Sequence, residues 1–232
     1  MEISGYHQFC PVAMAAEVLC CRWTLLVVRE LMLGSSRFND LRRGVPRMST
    51  ALLAKRLKEL EAAGIVVRKR ATGAAEGHEY HLTPAGQELR PIVEAVGTWG
   101  QRWVTTEASL RNLDAKLLMW DIRRHVNPDP APQGRTTVEF ILGDRPQPER
   151  NYWLIVEPAC DVDLCMVDPG FDVDVYVSTD LRTLTALWLG YLGWDQASGS
   201  GTLRLTGAPE LQSTLRRWLG TSTFAAVPRA VA

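Results

Sequence analysis

The sequence predicts an α+β protein in two parts. The first is mainly helical and ends in one hairpin; in the second, helices flank an antiparallel sheet. Three observations lead there. Over the first hundred residues apolar side chains recur at spacings of three and four, between residues that start and stop helices. From residue 135 the spacing becomes two, in short runs separated by turns containing Pro, Gly or Asp. The third observation is charge: 26 basic and 26 acidic side chains cancel overall. Residues 1–104, however, hold 14 basic and 10 acidic side chains, against 12 and 16 in the remainder.

At 232 residues, 46% hydrophobic and 22% charged, the composition is that of a globular chain. No apolar run reaches the ~18 residues of a membrane span. The opening Met1-Glu2-Ile3-Ser4-Gly5 lacks the basic and apolar regions of a signal peptide. Five cysteines without scaffold spacing then read as reduced thiols, and the expected location is cytoplasmic, at the nucleoid.

Pro11 suits the first position of a helix over 11–20. Thr24 is placed to cap a second helix through Leu33, with Leu25, Val28, Leu31 and Met32 on its apolar side and Gly34 at its end. Ser35 to Phe38 reads as a small strand and Asp40–Gly44 as a brief helix. Pro46 forces a turn. Ser49 is a good N-cap for the next helix, in which Leu53, Leu57 and Leu60 share one face. Ala51, Ala54, Lys55 and Lys58 share the other, and Gly64 ends the helix.

A short helix, a tight turn and a capped helix with a small, basic outer face form a helix-turn-helix pattern. Small residues let the backbone approach base edges. Ile65–Arg70 and His78–Leu82 then read as two strands around the loop Ala71 to Gly77, a wing whose basic strand suits the phosphate backbone. Residues 37–70 carry ten basic and three acidic side chains. Such a patch is either a polyanion site or a solvated surface. Thr83 and Pro84 start a last helix to about residue 104. Its stripe of Leu89, Ile92, Val93, Val96, Trp99, Gly100 and Trp103 serves a core or a dimer interface.

The second part, 107–232, follows a first part of 1–106. Residues 105–113 read as a connector. Asp114 begins a helix to His125, and residues 127–134 are a proline-rich loop. Strands are predicted at Arg135–Leu142, Asn151–Glu157, Asp161–Val167 and Val173–Ser178, a helix from Asp180 to Tyr191, a strand at Thr202–Leu205 and a helix at Pro209–Leu219. No catalytic set, metal-ligand cluster or cofactor motif is present, so no enzyme, metal or cofactor is expected. Asp161, Asp163, Asp168, Asp172 and Asp174 lack the spacing of a calcium loop and read as outward carboxylates and turn residues. His125 is the only histidine of this half. Cys160 and Cys165 read as structural thiols, and the adjacent Cys20 and Cys21 as packing residues. Large apolar side chains stand out, among them Trp120, Trp153, Met166, Phe171, Trp188 and Tyr191. They fill a core or line a pocket for a small hydrophobic ligand.

The N-terminal motifs resemble a known family. Cys10-Pro11-Val12, Arg22-Trp23-Thr24-Leu25-Leu26 through Arg29-Glu30-Leu31, and Arg37-Phe38-Asn39-Asp40-Leu41 are similar to HxlR-type winged helix-turn-helix regulators. So are Met48-Ser49 through Gly64-Ile65-Val66 and Tyr80-His81-Leu82-Thr83-Pro84-Ala85-Gly86, over about residues 7–104. The resemblance implies a non-enzymatic homodimer on double-stranded operator DNA, with the recognition helix at Ser49–Ala62 and the wing at Ile65–Leu82. Ser49, Thr50, Ala51 and Lys55 would then enter the major groove, and Arg42, Arg43, Arg47, Lys58, Lys69 and Arg70 would meet phosphates. Some members use the cysteine of the Cys-Pro-Val motif as an oxidant sensor. Cys10 has the chemistry for it, since a helix start favours the thiolate; the alternative is a small residue packed at a dimer interface.

The C-terminal motifs Leu117-Leu118-Met119-Trp120-Asp121, Asp161-Val162-Asp163-Leu164-Cys165, Asp168-Pro169-Gly170-Phe171-Asp172-Val173-Asp174 and Asp180-Leu181-Arg182-Thr183-Leu184-Thr185 resemble the sterol-carrier-protein-like domain. That resemblance implies a five-stranded sheet with helices over one face and an apolar tunnel. A regulator with a hydrophobic effector is the leading reading. A lipid or hydrophobic-ligand carrier that uses the winged helix mainly to dimerise is the alternative.

Overall fold

The computed structural model describes residues 5–71, 77–127, 134–157 and 162–231. The chain divides into two units, Met1–Val96 and Gly97–Ala232. The division after residue 106 expected from sequence lies further along, in the connector. The reason is local to the second unit. Gln101 donates to the carbonyl of Leu189 at 2.9 Å, and Arg229 donates to the carbonyls of Gln101 and Val104 at 3.2 and 2.7 Å.

The first unit contains helices α1 (Pro11–Leu19), α2 (Thr24–Met32), α3 (Phe38–Gly44) and α4 (Thr50–Ala62), the hairpin β1 (Val66–Arg70) and β2 (His78–Leu82), the single turn α5 (Pro84–Gln87), and the start of α6 (Arg90–Trp103). Three local expectations need correction. Thr24 does not cap α2: the preceding Trp23 has φ 79°, and the Thr24 side chain is buried as the first helical residue. Ser35–Phe38 is not a strand. Only Arg37 bridges, to Glu79, and Phe38 already opens α3. The last helix is two helices, because Pro91 has no N–H for the Gln87 carbonyl and its ring would crowd it.

The core of this unit is Val27, Val28 and Leu31 of α2, Leu41, Val45 and Met48 around α3, the three leucines of α4, and Ile65 and Val66. Two glycines mark close approaches. At Gly44 an added Cβ would lie 1.8 Å from Oε2 of Glu30, a fully buried carboxylate bound by Arg29 Nη2 at 2.6 Å. At Gly86 it would lie 2.2 Å from the carbonyl oxygen of Ile65. Thr83 holds that approach together: its Oγ1 donates to the Gly64 carbonyl at 2.6 Å and accepts from Gly86 N at 3.1 Å.

The second unit contains the end of α6, then α7 (Thr106–Ser109), α8 (Ala115–His125), β3 (Thr136–Leu142), β4 (Asn151–Val156), β5 (Asp163–Cys165), β6 (Val175–Thr179), α9 (Leu181–Trp188), α10 (Trp194–Gly199), β7 (Arg204–Gly207) and α11 (Pro209–Leu219). The connector expected at 105–113 holds the one-turn α7, and α10 went unforeseen. Asp114 and Asp180 cap α8 and α9 as expected, accepting from Leu117 N at 3.0 Å and Thr183 N at 2.7 Å.

The strands form one sheet in the order β5-β4-β3-β6-β7. Three neighbouring pairs are antiparallel, but β3 and β6 run parallel, with Val138 beside Val175 and Leu142 beside Thr179. The sheet is therefore mixed. After the β3-β4-β5 meander the chain crosses back and enters β6 from the end at which β3 begins, which makes the pair parallel. Asp174 pins that entry. Its carboxylate accepts from Thr137 N at 2.8 Å, and its own N–H donates to the Thr137 carbonyl at 3.0 Å.

One face of the sheet is core. Val138, Phe140 and Leu142 of β3, Tyr152 and Leu154 of β4, and Val175 and Val177 of β6 are fully buried against residues of α8, α9 and α11. The alternate residues point the other way.

Gly86→Ala tests the contact between the hairpin and α5. The added methyl would have to displace the Ile65 carbonyl and would crowd the Leu82 side chain, so the first unit should lose about 1–3 kcal/mol of stability. Urea unfolding followed by circular dichroism measures it, and an unchanged midpoint would remove the contact from the account.

Candidate nucleic-acid interface

Helix α4 is the part of the first unit most constrained by its own sequence. Ser49 Oγ accepts from Leu52 N at 3.3 Å and starts the helix. Leu53, Leu57 and Leu60 are buried at spacings of four and three, so α4 cannot roll about its axis without exposing them. The opposite face is thereby held in solvent. Ser49, Thr50, Ala51, Lys55 and Lys58 are all exposed. Ala51, Ala54, Lys55, Lys58, Glu59 and Ala62 line a shallow concavity along it.

Arg42, Arg43 and Arg47 flank this face from α3 and the turn, and Lys69 and Arg70 stand exposed on β1. Some of the charge is already engaged. Arg43 pairs with Asp40 at 3.0 Å, and Lys55 lies 3.9 Å from Glu59, which also binds the half-buried Arg56. Among the described residues Arg42, Arg47, Lys58, Lys69 and Arg70 have no ion-pair partner. Sequence reading counted Glu59 among the three acids of the basic patch but missed its pairing with Lys55 and Arg56. Its signal was the spacing of four from Lys55. In the hairpin, Lys69 lies opposite Glu79 and Arg70 opposite His78. The wing tip expected at 71–77 falls mostly outside the described residues.

Cys10 occupies the N-cap position of α1 and is fully exposed. The backbone N–H of Ala13, and then that of Val12, face its sulfur and lower the thiol's pKa below the ordinary value. Cys20 and Cys21 are not packed in this chain. Both are exposed, and the Cys21 thiol donates to the Glu17 carbonyl at 3.4 Å. Cys165 is half-buried and free, while Cys160 and Asp161 lie outside the described residues.

The six residues expected to line a pocket in the second unit are distributed over different surroundings. Trp188 is buried and donates its indole N–H to Asp121 at 2.9 Å. It lines a small apolar gap with Ile122, Leu184, Leu187, Trp194 and Leu219, of about 10 Å³, room for roughly one water. Trp120 is buried with the Arg123 guanidinium 5.0 Å from its ring. Tyr191 shares its hydroxyl with Gln101 and Ser109, and Arg229 lies 4.2 Å over its ring. Trp153 is on the other side of the sheet, out of phase with the core residues Tyr152 and Leu154, and Met166 and Phe171 are exposed. Alternation along β4 separates Trp153 from Trp188, which composition alone does not reveal.

His125 lies near Asp121 and Thr223 but does not form a catalytic relay. Its Nδ1 is 2.8 Å from the Asp121 carbonyl and 3.9 Å from the carboxylate, which Arg124 and Trp188 occupy. Among the described residues no three His, Cys, Asp or Glu side chains converge as metal ligands, and no single helix is long and apolar enough to cross a membrane.

A buried-leucine helix presenting small and basic residues beside a hairpin wing defines a winged helix-turn-helix transcriptional regulator. The chain belongs to the HxlR-like helix-turn-helix family, whose model matches residues 18–108. It is 36% identical over 98 residues to the HTH-type transcriptional regulator YvaP of Bacillus subtilis, covering 42% of this chain and 91% of YvaP. It is 37% identical over 105 residues to the HTH-type regulator Rv3095 of Mycobacterium tuberculosis, covering 44% of this chain and 65% of that one. The solved structure of the redox regulator HypR in its reduced form aligns over 40% of this chain and 91% of its own, with 35% identity and a TM-score of 0.37.

The Cys10 environment has a measurable consequence. A lowered pKa leaves more thiolate at any pH below the ordinary value, so alkylation should extend to lower pH. Peptide-resolved iodoacetamide labelling should give Cys10 a lower half-maximal pH in the native protein than in urea. Coincident profiles would mean the helix start does not act on the thiol.

Proposed function

We propose that this regulator binds operator DNA as a homodimer. Helix α4 enters the major groove through Ser49, Thr50, Ala51 and Lys55. Arg42, Arg43, Arg47, Lys58, Lys69 and Arg70 meet the flanking phosphates. The observation that carries the reading is the face of α4 itself: small side chains where bases must approach closely, bordered by exposed cations of which Arg42, Arg47, Lys58, Lys69 and Arg70 have no described ion-pair partner. Binding through phosphates releases counterions and falls steeply with salt. The site of action is then the nucleoid, and catalysis has no part in it.

Two apolar surfaces support dimerisation. Helix α1 has no buried residue although it carries Val12, Met14 and Val18, and Phe9 before it is 98% exposed. Helix α6 presents Ile92, Val96, Trp99 and Trp103, 45–63% exposed, at helical spacing along one face. Apolar surface of this kind marks an interface. A two-fold dimer would also place two recognition helices on a two-fold operator. Cys10, exposed and acidified, suits a thiol switch on that binding. The second unit is read as a domain of the sterol-carrier type, but its apolar gap of about 10 Å³ is too small for the hydrophobic effector and tunnel that the resemblance implies. Its five-stranded sheet with helices over one face supports that assignment.

Anisotropy titration of DNA from upstream of the protein's own coding region tests the first part. Lys55→Ala should weaken operator binding at least several-fold. Lys58→Ala should weaken binding to any sequence and reduce the log–log salt slope by about 1. Wild-type affinity across the salt series for Lys55→Ala would overturn the recognition-helix assignment. For the dimer, Trp99→Lys places a charge on an exposed stripe without entering a core. Sedimentation equilibrium should then show one chain where the wild type shows two, and an unchanged mass would place the interface elsewhere.

A further inference from the structure

The sheet face turned away from the core carries an arrangement that the DNA-binding reading does not use. Register places Trp153 of β4 opposite Glu139 of β3, and Glu139 beside Tyr176 of β6. The three therefore lie in one row on one face, an acid between two aromatic rings. Strands are spaced about 4.8 Å apart, so the two aromatic Cβ atoms stand about 10 Å apart with the Glu139 Cβ between them.

The carboxylate is oriented and half used. Gln147 Nε2 donates to Asn151 Oδ1 at 2.8 Å, which turns the Asn151 amide so that Nδ2 donates to Glu139 Oε1 at 2.6 Å. Oε2 accepts from no described group, and no described cation pairs with Glu139. Tyr176 is 36% exposed, and neither its ring nor that of Trp153 is engaged by a described cation or aromatic ring. Arg135, four residues before Glu139 in sequence, is occupied, 4.0 Å over Phe171. A carboxylate without a described counter-charge, set between two aromatic side chains, attracts a cation.

We propose that this row is a binding site for a small quaternary alkylammonium compound. A trimethylammonium group paired with Glu139 sits between the two aromatic positions, where cation–π attraction to Trp153 and Tyr176 and contact with its methyl groups add to the charge pairing. Being weakly hydrated, it sheds its water more readily than a primary amine does. The exposed Asp163, Asp168 and Asp172 on β5 and the segment before β6 add negative charge. They favour a free cation over a phosphocholine headgroup, whose phosphate they repel. The site belongs to the second unit alone and does not depend on DNA binding.

Calorimetric titration of the full chain with choline and with its neutral carbon isostere 3,3-dimethylbutan-1-ol tests it. Choline should bind at least about tenfold more tightly. Glu139→Gln, which keeps an acceptor for Asn151, and Tyr176→Thr, on an exposed position, should each weaken choline about tenfold and leave thermal unfolding unchanged. Equal binding of the two compounds, no binding of choline at roughly 10 mM, or unaltered affinity in folded Glu139→Gln would overturn the site. Sedimentation with phosphatidylcholine vesicles in place of choline binding would overturn the choice of a free cation.

Discussion

Burial of Leu53, Leu57 and Leu60 fixes the rotational setting of α4, and the rest of the first unit is arranged around it. The three leucines pack with Val27, Val28 and Leu41, so α2 and α3 are positioned by the same contacts that hold α4. Ile65 and Val66 extend the cluster into the hairpin, and Thr83 and Gly86 lock the return strand against its start. A polar face follows from this without any stabilising term of its own. Its side chains are outside because the leucines are inside. The basic residues on it contribute little to folding and are left available for a polyanion.

In the second unit, strand alternation plays the same part in a different geometry. One phase of β3, β4 and β6 supplies an apolar layer for three helices, and the other phase is free to carry acids and aromatics. Asp174 matters more here than its position in an aspartate-rich segment suggests. It closes the parallel junction between β3 and β6 through two backbone-directed bonds. Without that junction Tyr176 would not stand beside Glu139.

Much of this was legible in the residues. Helix caps at Ser49, Thr83, Asp114 and Asp180 were readable because a short polar side chain before an apolar helix has few other uses. The basic outer face of α4 followed from its leucine spacing. Elements that depend on partners distant in sequence were harder. The parallel pairing of β6 depends on which strand it meets, and period-two runs carry no information about that. Trp23 in a left-handed conformation and the interruption before α6 are tertiary and proline effects that override a continuous apolar pattern. Composition correctly drew attention to tryptophans but grouped Trp153 with Trp188, which strand phase puts on opposite sides.

Helix α1 carries a consequence for the thiol that precedes it. Nine residues with none buried are too few to stay helical in water on intrinsic preference. The helix persists only while something packs against it. The backbone N–H groups that acidify Cys10 are available to it only when α1 is wound. Sulfur acidity at this position is thus a readout of local chain order: whatever protects α1 primes the thiol, and whatever frays α1 returns it to an ordinary, slower nucleophile.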